Sequence, residues 1–286
     1  MRIPTLLRTA VAGVCATVLV SSPGLVSTAS AKVDTSSQAM PTITARLTQQ
    51  GVSLRGTRGL HAGRAQLVVK GKGNATVSFV TLKAGYRMPA FMKDATAAFS
   101  KNNVKAMKRL YAKTDAIGGL APGSTGTLFF PHPGQYLAFK GGRKISKPVV
   151  FQVGSMRHTR APRVDGRVIA ADGPGWKGSS QFPAKGTLLF KNAATYPVLH
   201  FMSMQRVVEG TTVEQVLAAL QSEQGPQPDW LLSGGLDTDV LAPGRAMTVD
   251  YDLAAGQYVV LCFMPDPAMH GMPHALMGMI KMIHFG

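Results

Sequence analysis

The sequence predicts an all-β protein built as two tandem β-sandwich copies, each with a short helical insertion. Three observations carry that expectation. The 286 residues include 31 Gly and 18 Pro, only 16% are charged, and 45% are hydrophobic. That balance, against about 25% charged in an ordinary domain, excludes disorder as a global description and suits short strands joined by tight turns. Short, partly alternating apolar runs recur between glycines and prolines. The same motifs also appear twice, in the same order, about one small domain apart. A coiled coil, a collagen and a polytopic membrane protein are excluded by the same composition.

Residues 1–31 read as an export signal rather than as structure. Arg2 and Arg8 form a basic start, Ala10 to Val20 an apolar core, Pro23-Gly24 a break, and Ala29-Ser30-Ala31 a small-residue cleavage site. Lys32 is then the expected mature N-terminus, and the mature chain is expected in the cell envelope or outside it. No later run of 18 apolar residues predicts a membrane span. Cys15 falls within the signal, so the mature protein keeps a single cysteine, Cys262. An unpaired cysteine in an oxidising compartment leaves four readings: metal ligand, reactive thiol, intermolecular bridge, or buried hydrophobe.

Charge divides the mature chain into two domains. Residues 32–155 carry 19 basic and 3 acidic side chains, whereas residues 164–286 carry 7 basic and 11 acidic. Arg157, Arg160 and Arg163, with Pro162 in residues 156–163, read as the linker. The basic first domain suggests an anionic partner, for which a cell-surface polymer fits an exported protein best. Aromatic residues are not interleaved with the basic ones, so no specific nucleic-acid partner is expected.

In the first domain, strands are predicted over Gln66 to Lys70, Thr76 to Leu82, Thr125 to Phe130 and Gln135 to Phe139. Two helices follow the second of these, over Ala90 to Phe99 and Asn103 to Ala112. The second of these helices sets Val104, Met107, Leu110 and Tyr111 against Lys105, Lys108, Arg109 and Lys113, a solvated amphipathic helix packed on its own domain. Matching strands are predicted over Gly186 to Lys191, Val198 to Val207, Ala246 to Leu253 and Gln257 to Phe263. A helix opens at Thr211 or Thr212, where Thr211-x-x-Glu214 has the capping-box pattern, and Val213, Val216, Leu217 and Leu220 share one face. Gly118-Gly119-Leu120-Ala121-Pro122-Gly123 and Pro133-Gly134-Gln135-Tyr136 correspond to Gly234-Gly235-Leu236, Ala242-Pro243-Gly244 and Ala255-Gly256-Gln257-Tyr258.

The last thirty residues concentrate the chemistry. A strand ending at Cys262 is followed by Gly271-Met272-Pro273-His274-Ala275-Leu276-Met277-Gly278-Met279. Thiolate, imidazole and thioether together form a soft donor set suited to copper. Tyr258, Cys262, Pro273, His274, Gly278 and Met279 reproduce the C-terminal motif of the cupredoxins, such as plastocyanin, which the sequence therefore resembles. It is also similar to secreted bacterial cupredoxin-like proteins with a helix after the first-histidine strand.

The resemblance implies two Greek-key sandwiches and one mononuclear copper held by His200, Cys262, His274 and an axial Met279, with Met277 as substitute. It further implies single-electron transfer or copper carriage, served by a redox or copper-trafficking protein. Eleven residues separate Cys262 from His274, more than the family uses, which leaves room for His274 to swing away from Cys262 or for the site to stand open to solvent. In the first domain Lys140 stands where the cysteine would be, so that copy is expected to be metal-free.

Other readings stay open at this stage. Cys262 would also serve as a packed thiol and His200 as a hydrogen-bonded core residue. Met264, Met269, Met272, Met277, Met279 and Met282 would serve as packing or as a Cu(I) carrier. A metal-free envelope module is the alternative function. No Gly-rich phosphate loop, Gly-x-Ser-x-Gly elbow, His-Glu-x-x-His or His-x-His motif appears, so no enzyme is expected.

Overall fold

The computed structural model describes residues 39–142, 145–222 and 228–286; residues 1–31, which the sequence reads as an export signal, lie outside the described residues. The first half contains β1 (Thr42–Leu47), β2 (Val52–Arg55), β3 (His61–Lys70) and β4 (Val77–Leu82). Helices α1 (Met88–Lys101) and α2 (Val104–Lys113) follow, then β5 (Thr114–Gly118), β6 (Thr125–Phe130), β7 (Gly134–Lys140) and β8 (Val149–Met156). The second half contains β9 (Gly166–Ala171), β10 (Gly175–Gly178), β11 (Gln181–Phe182), β12 (Lys185–Asn192) and β13 (Ser203–Val207). It continues through α3 (Val213–Gln221), β14 (Leu231–Asp237), β15 (Ala246–Asp252), β16 (Gly256–Leu261), β17 (Pro265–Asp266), β18 (Met272–Pro273) and β19 (Ile280–Phe285).

The duplication read from the motifs is present strand for strand. β1 runs parallel to β3 and antiparallel to β2, and β3 runs antiparallel to β6. In the second half β9 runs parallel to β12 and antiparallel to β10, and β12 antiparallel to β15. The facing layers correspond too: β5-β4-β7-β8 matches β14-β13-β16-β19, every pairing antiparallel. α1 and α2 connect β4 to β5, and α3 connects β13 to β14, so the helical insertion also occupies the same place. Even the two repeated tyrosines act alike. The hydroxyl of Tyr136 donates to the His132 carbonyl and that of Tyr258 to the Ala254 carbonyl, each at 2.9 Å and four residues upstream. β1 and β6 alternate buried and less buried positions because one face of their sheet meets the other layer, whereas β4, β5, β7 and β16 carry runs of four or more buried residues.

The halves are also joined edge to edge. β6 pairs antiparallel with β15, so one sheet runs through both. The described residues from 39 to 286 belong to one compact unit.

Three local expectations change. The capping box sits one residue later, with Thr212 accepting from the Gln215 amide and the Gln215 side chain accepting from the Thr212 amide. Thr211 instead turns its hydroxyl to the Val208 carbonyl. The predicted strand from Val198 begins only at Ser203, and His200 meets Leu241 in an isolated bridge. Thirdly, α2 packs on more than its own half, as the site shows below.

The two first-half helices are pinned by a buried acid. Asp94 accepts from Arg109 Nε at 3.1 Å and from the Tyr86 hydroxyl at 3.0 Å. The Arg109 hydrogen bond holds the Asp94 carboxyl below the ordinary carboxylate range. A carboxylate whose folded value is depressed stabilises above its unfolded value and loses that contribution as pH falls through the folded one. Asp94→Asn is therefore expected to narrow the gap in urea midpoint from wild type only below about pH 4, with a constant gap from pH 5 to 7. A gap that instead narrows between pH 7 and 5 would contradict this assignment.

Candidate metal centre

His200, Cys262 and His274 come from three separated stretches and meet at one end of the second sandwich. The His200 loop is braced by buried Asn192, whose amide donates to the carbonyls of Val198 at 2.9 Å and Leu241 at 2.8 Å. His200 and Leu241 then exchange both backbone hydrogen bonds, at 3.2 and 2.7 Å. Cys262 lies one residue past the end of β16, a run of four buried residues that carries it into the core. The chain returns to it because the Cys262 carbonyl accepts from the Ala275 amide, and the Met264 carbonyl from the His274 amide.

The eleven-residue insertion folds back on itself rather than leaving the site open. Pro265 pairs with Pro273 and Asp266 with Met272 in a two-stranded hairpin. Its stem is tied to the first half by the Tyr111 hydroxyl of α2, which donates to the Pro265 carbonyl at 2.9 Å. The hairpin delivers His274 onto Cys262, and all three groups are 0% exposed. Neither departure that the loop length allowed is found, since His274 lies against Cys262 and both are buried: a long loop with its own strand pairing closes as well as a short one.

Geometry and chemistry at this point fit a metal ion. The Cys262 sulfur lies 3.6 Å from His200 Nδ1 and 3.5 Å from His274 Nδ1, and the three donor atoms lie within 4.8 Å of one another. Thiolate and imidazole ligands on one ion, with bonds of about 2.3 and 2.0 Å, stand roughly 3.6 Å apart. Burial pushes the His200 imidazole down to about 3 and that of His274 down to about 4, so both are neutral near pH 7. Desolvation pushes the Cys262 thiol up to about 12, opposed by backbone hydrogen bonds at Met264 and Phe201. A thiol has one proton for two facing nitrogens, and Nε2 of both histidines lacks a hydrogen-bond partner. The thiol proton cannot serve both Nδ1 lone pairs, and a cation set among the sulfur and the two Nδ1 atoms would satisfy all three, with Nε2 of each ring left to partners outside the cluster.

Met279 is fully buried in the same apolar cluster as Cys262, while Met277 is only half-buried. The Met279 amide donates to the His274 carbonyl and its carbonyl accepts from Trp176 Nε1, both at 3.0 Å. Met269 and Met272 lie exposed on the insertion. Among the described residues this is the one cluster of three or more His, Cys, Asp or Glu that could hold a metal. At the corresponding place in the first half, Lys140 donates to the Thr48 carbonyl. Sequence reasoning missed Tyr111 as a tie across the halves and Asp266 as a buried neighbour of His274. The turn signal Pro265-Asp266-Pro267 was the one local sign of a structured insertion.

No family model and no curated protein matches the chain. Among solved structures it is similar to auracyanin B, at 21% identity and a TM-score of 0.28, over 42% of this chain and 86% of that one. It is also similar to an auracyanin from Roseiflexus castenholzii, at 22% identity and a TM-score of 0.27, over 42% of this chain and 94% of that one. A copper nitrite reductase from Nitrosomonas europaea matches along both halves, with 14% identity and a TM-score of 0.25, over 85% of this chain and 93% of that one.

Proposed function

We propose that this is an exported copper protein that transfers single electrons or carries copper through one mononuclear site. The observation that carries the reading is the convergence of Cys262 Sγ with two imidazole Nδ1 atoms at 3.5 and 3.6 Å in a dry pocket. His200, Cys262 and His274 would hold the ion, with the Met279 thioether as a further donor. Bound there, copper would supply a one-electron couple, since thiolate and thioether favour Cu(I) and imidazole suits both states.

The chain's own residues do the rest. Asn192 and Leu241 fix His200, and the hairpin fixes His274. Complete burial keeps water from the donor atoms, and rigid backbone pairing holds their spacing. Neither feature prepares a substrate for bond-making chemistry, which favours a carrier over a catalyst.

The test is a visible spectrum of the mature protein after one equivalent of Cu(II). An intense thiolate-to-copper band is expected, abolished in Cys262→Ser and lost or shifted in His274→Ala. A colourless wild type binding no copper in either oxidation state would overturn the reading in favour of the metal-free envelope module.

A further inference from the structure

The hairpin between Cys262 and His274 brings one acid into the core. Asp266 is 4% exposed, and its Oδ2 lies 3.7 Å from His274 Nε2, the ring nitrogen remote from the sulfur. No hydrogen bond satisfies that nitrogen. The carboxylate is fixed in place from its other side. Asp266 Oδ1 accepts from the Ala268 amide at 2.7 Å, capping the short turn Pro267–Met269. The Asp266 carbonyl accepts from the Gly271 amide at 2.7 Å, and Tyr111 holds the preceding carbonyl from the first half. A buried carboxylate is costly to keep, and capping a three-residue turn would be served as well by serine or asparagine.

Resting on the copper reading above, we infer that Asp266 is a positioning residue for His274 whose carboxylate biases the centre towards the oxidised ion. At 3.7 Å the carboxylate stands beyond hydrogen-bond distance of the outer nitrogen and acts on it through its charge. A fixed negative charge nearby favours the more positive metal state over the less positive one, most strongly where water is excluded.

The experiment is a redox titration of copper-loaded wild type, Asp266→Asn, Asp266→Ser and Asp266→Glu, followed by the thiolate band, with thermal unfolding of each metal-free protein alongside. Asn and Ser retain an oxygen to cap the turn while removing the charge, and either suffices if the other fails to fold. Both are expected to lower the ratio of Cu(II) to Cu(I) affinity about tenfold, which is a rise of about 59 mV for a one-electron couple. Their metal-free unfolding should stay close to wild type, and Asp266→Glu should recover part of the ratio. Potentials unchanged in both neutral variants would overturn this assignment and leave the copper site standing. A wild type that takes up no copper would overturn the parent reading and this one with it.

Discussion

Copper is expected to raise the unfolding temperature of the wild-type protein by about 8–16 °C and that of Cys262→Ala hardly at all. A ligand that binds only the folded state, at a free concentration about 1,000 times its Kd, stabilises by about 4 kcal/mol. In a chain of this size each kcal/mol moves the midpoint by about 2–4 °C. The stabilisation should depend on the thiol because Cys262 is fully buried and its proton is held up to about 12. Desolvation forbids a bare thiolate there and permits one balanced by a cation. Removing the sulfur leaves two neutral imidazoles and a small void. The metal-free Cys262→Ala protein should therefore unfold within about 1–2 kcal/mol of wild type, as a small truncation in a packed core does. Calorimetry without copper and with free copper held at about 1,000 times its Kd separates these terms. A copper-induced rise that persists in Cys262→Ala would place the ion elsewhere, with the exposed Met269 and Met272 next in line.

What the sequence discloses about this site follows the range of the interactions involved. The repeat was legible because glycine turns, the strand-opening Gly-Gln-Tyr and the tyrosine corner are local, and each half needs them in the same place. Cys262 was legible for a similar reason: a continuous apolar run from Tyr258 to Leu261 carries the residue that follows it into the sandwich.

His200 was harder to place. It lies on an irregular stretch held by Asn192 and Leu241, and the Asn192–Leu241 hydrogen bond spans 49 positions. The closure of the insertion depends on Pro265–Pro273 pairing and on Tyr111, 154 positions away from its acceptor. Nothing in a count of loop residues contains such partners. The one-residue slip of the capping box has a simpler cause. Both Thr211 and Thr212 have a long polar side chain three positions on, and only the packed helix axis decides between them.

Gly126→Val is the substitution expected to damage the molecule most for its size. Gly126 faces Val249 where β6 meets β15, and an added Cβ would lie 2.1 Å from the Thr248 carbonyl oxygen and 3.1 Å from the Val249 Cα. The obstacle is backbone, which no rotamer change relieves, so the two strands must part. Thr125, Gly126 and Thr127 then lose their partners Asp250, Val249 and Thr248, and the Thr127 amide loses Thr248 Oγ1. Overpacking of this kind costs about 1–3 kcal/mol where neighbours can adjust, and the upper end or more is expected where they are carbonyls of a paired strand. Gly123→Ala is the control: its φ of +86° strains any side chain but nothing lies within 4 Å, so about 1 kcal/mol is expected.

The cost should extend to the metal centre. A second seam beside β6–β15 joins Ile117 to Leu241 and the Asp239 amide to the Gly119 carbonyl, with Arg245 bonded to Asp115 across it. Leu241 is also the residue that pairs with His200. Loosening the first seam loads the second, and the second holds the His200 loop. Urea unfolding of the metal-free Gly126→Val protein should show the lower midpoint. Copper titration of the same protein should show weakened uptake, although residue 126 is no ligand. Uptake equal to wild type at a lowered midpoint would show instead that the second half holds His200 by itself, and that the joined sheet serves stability alone.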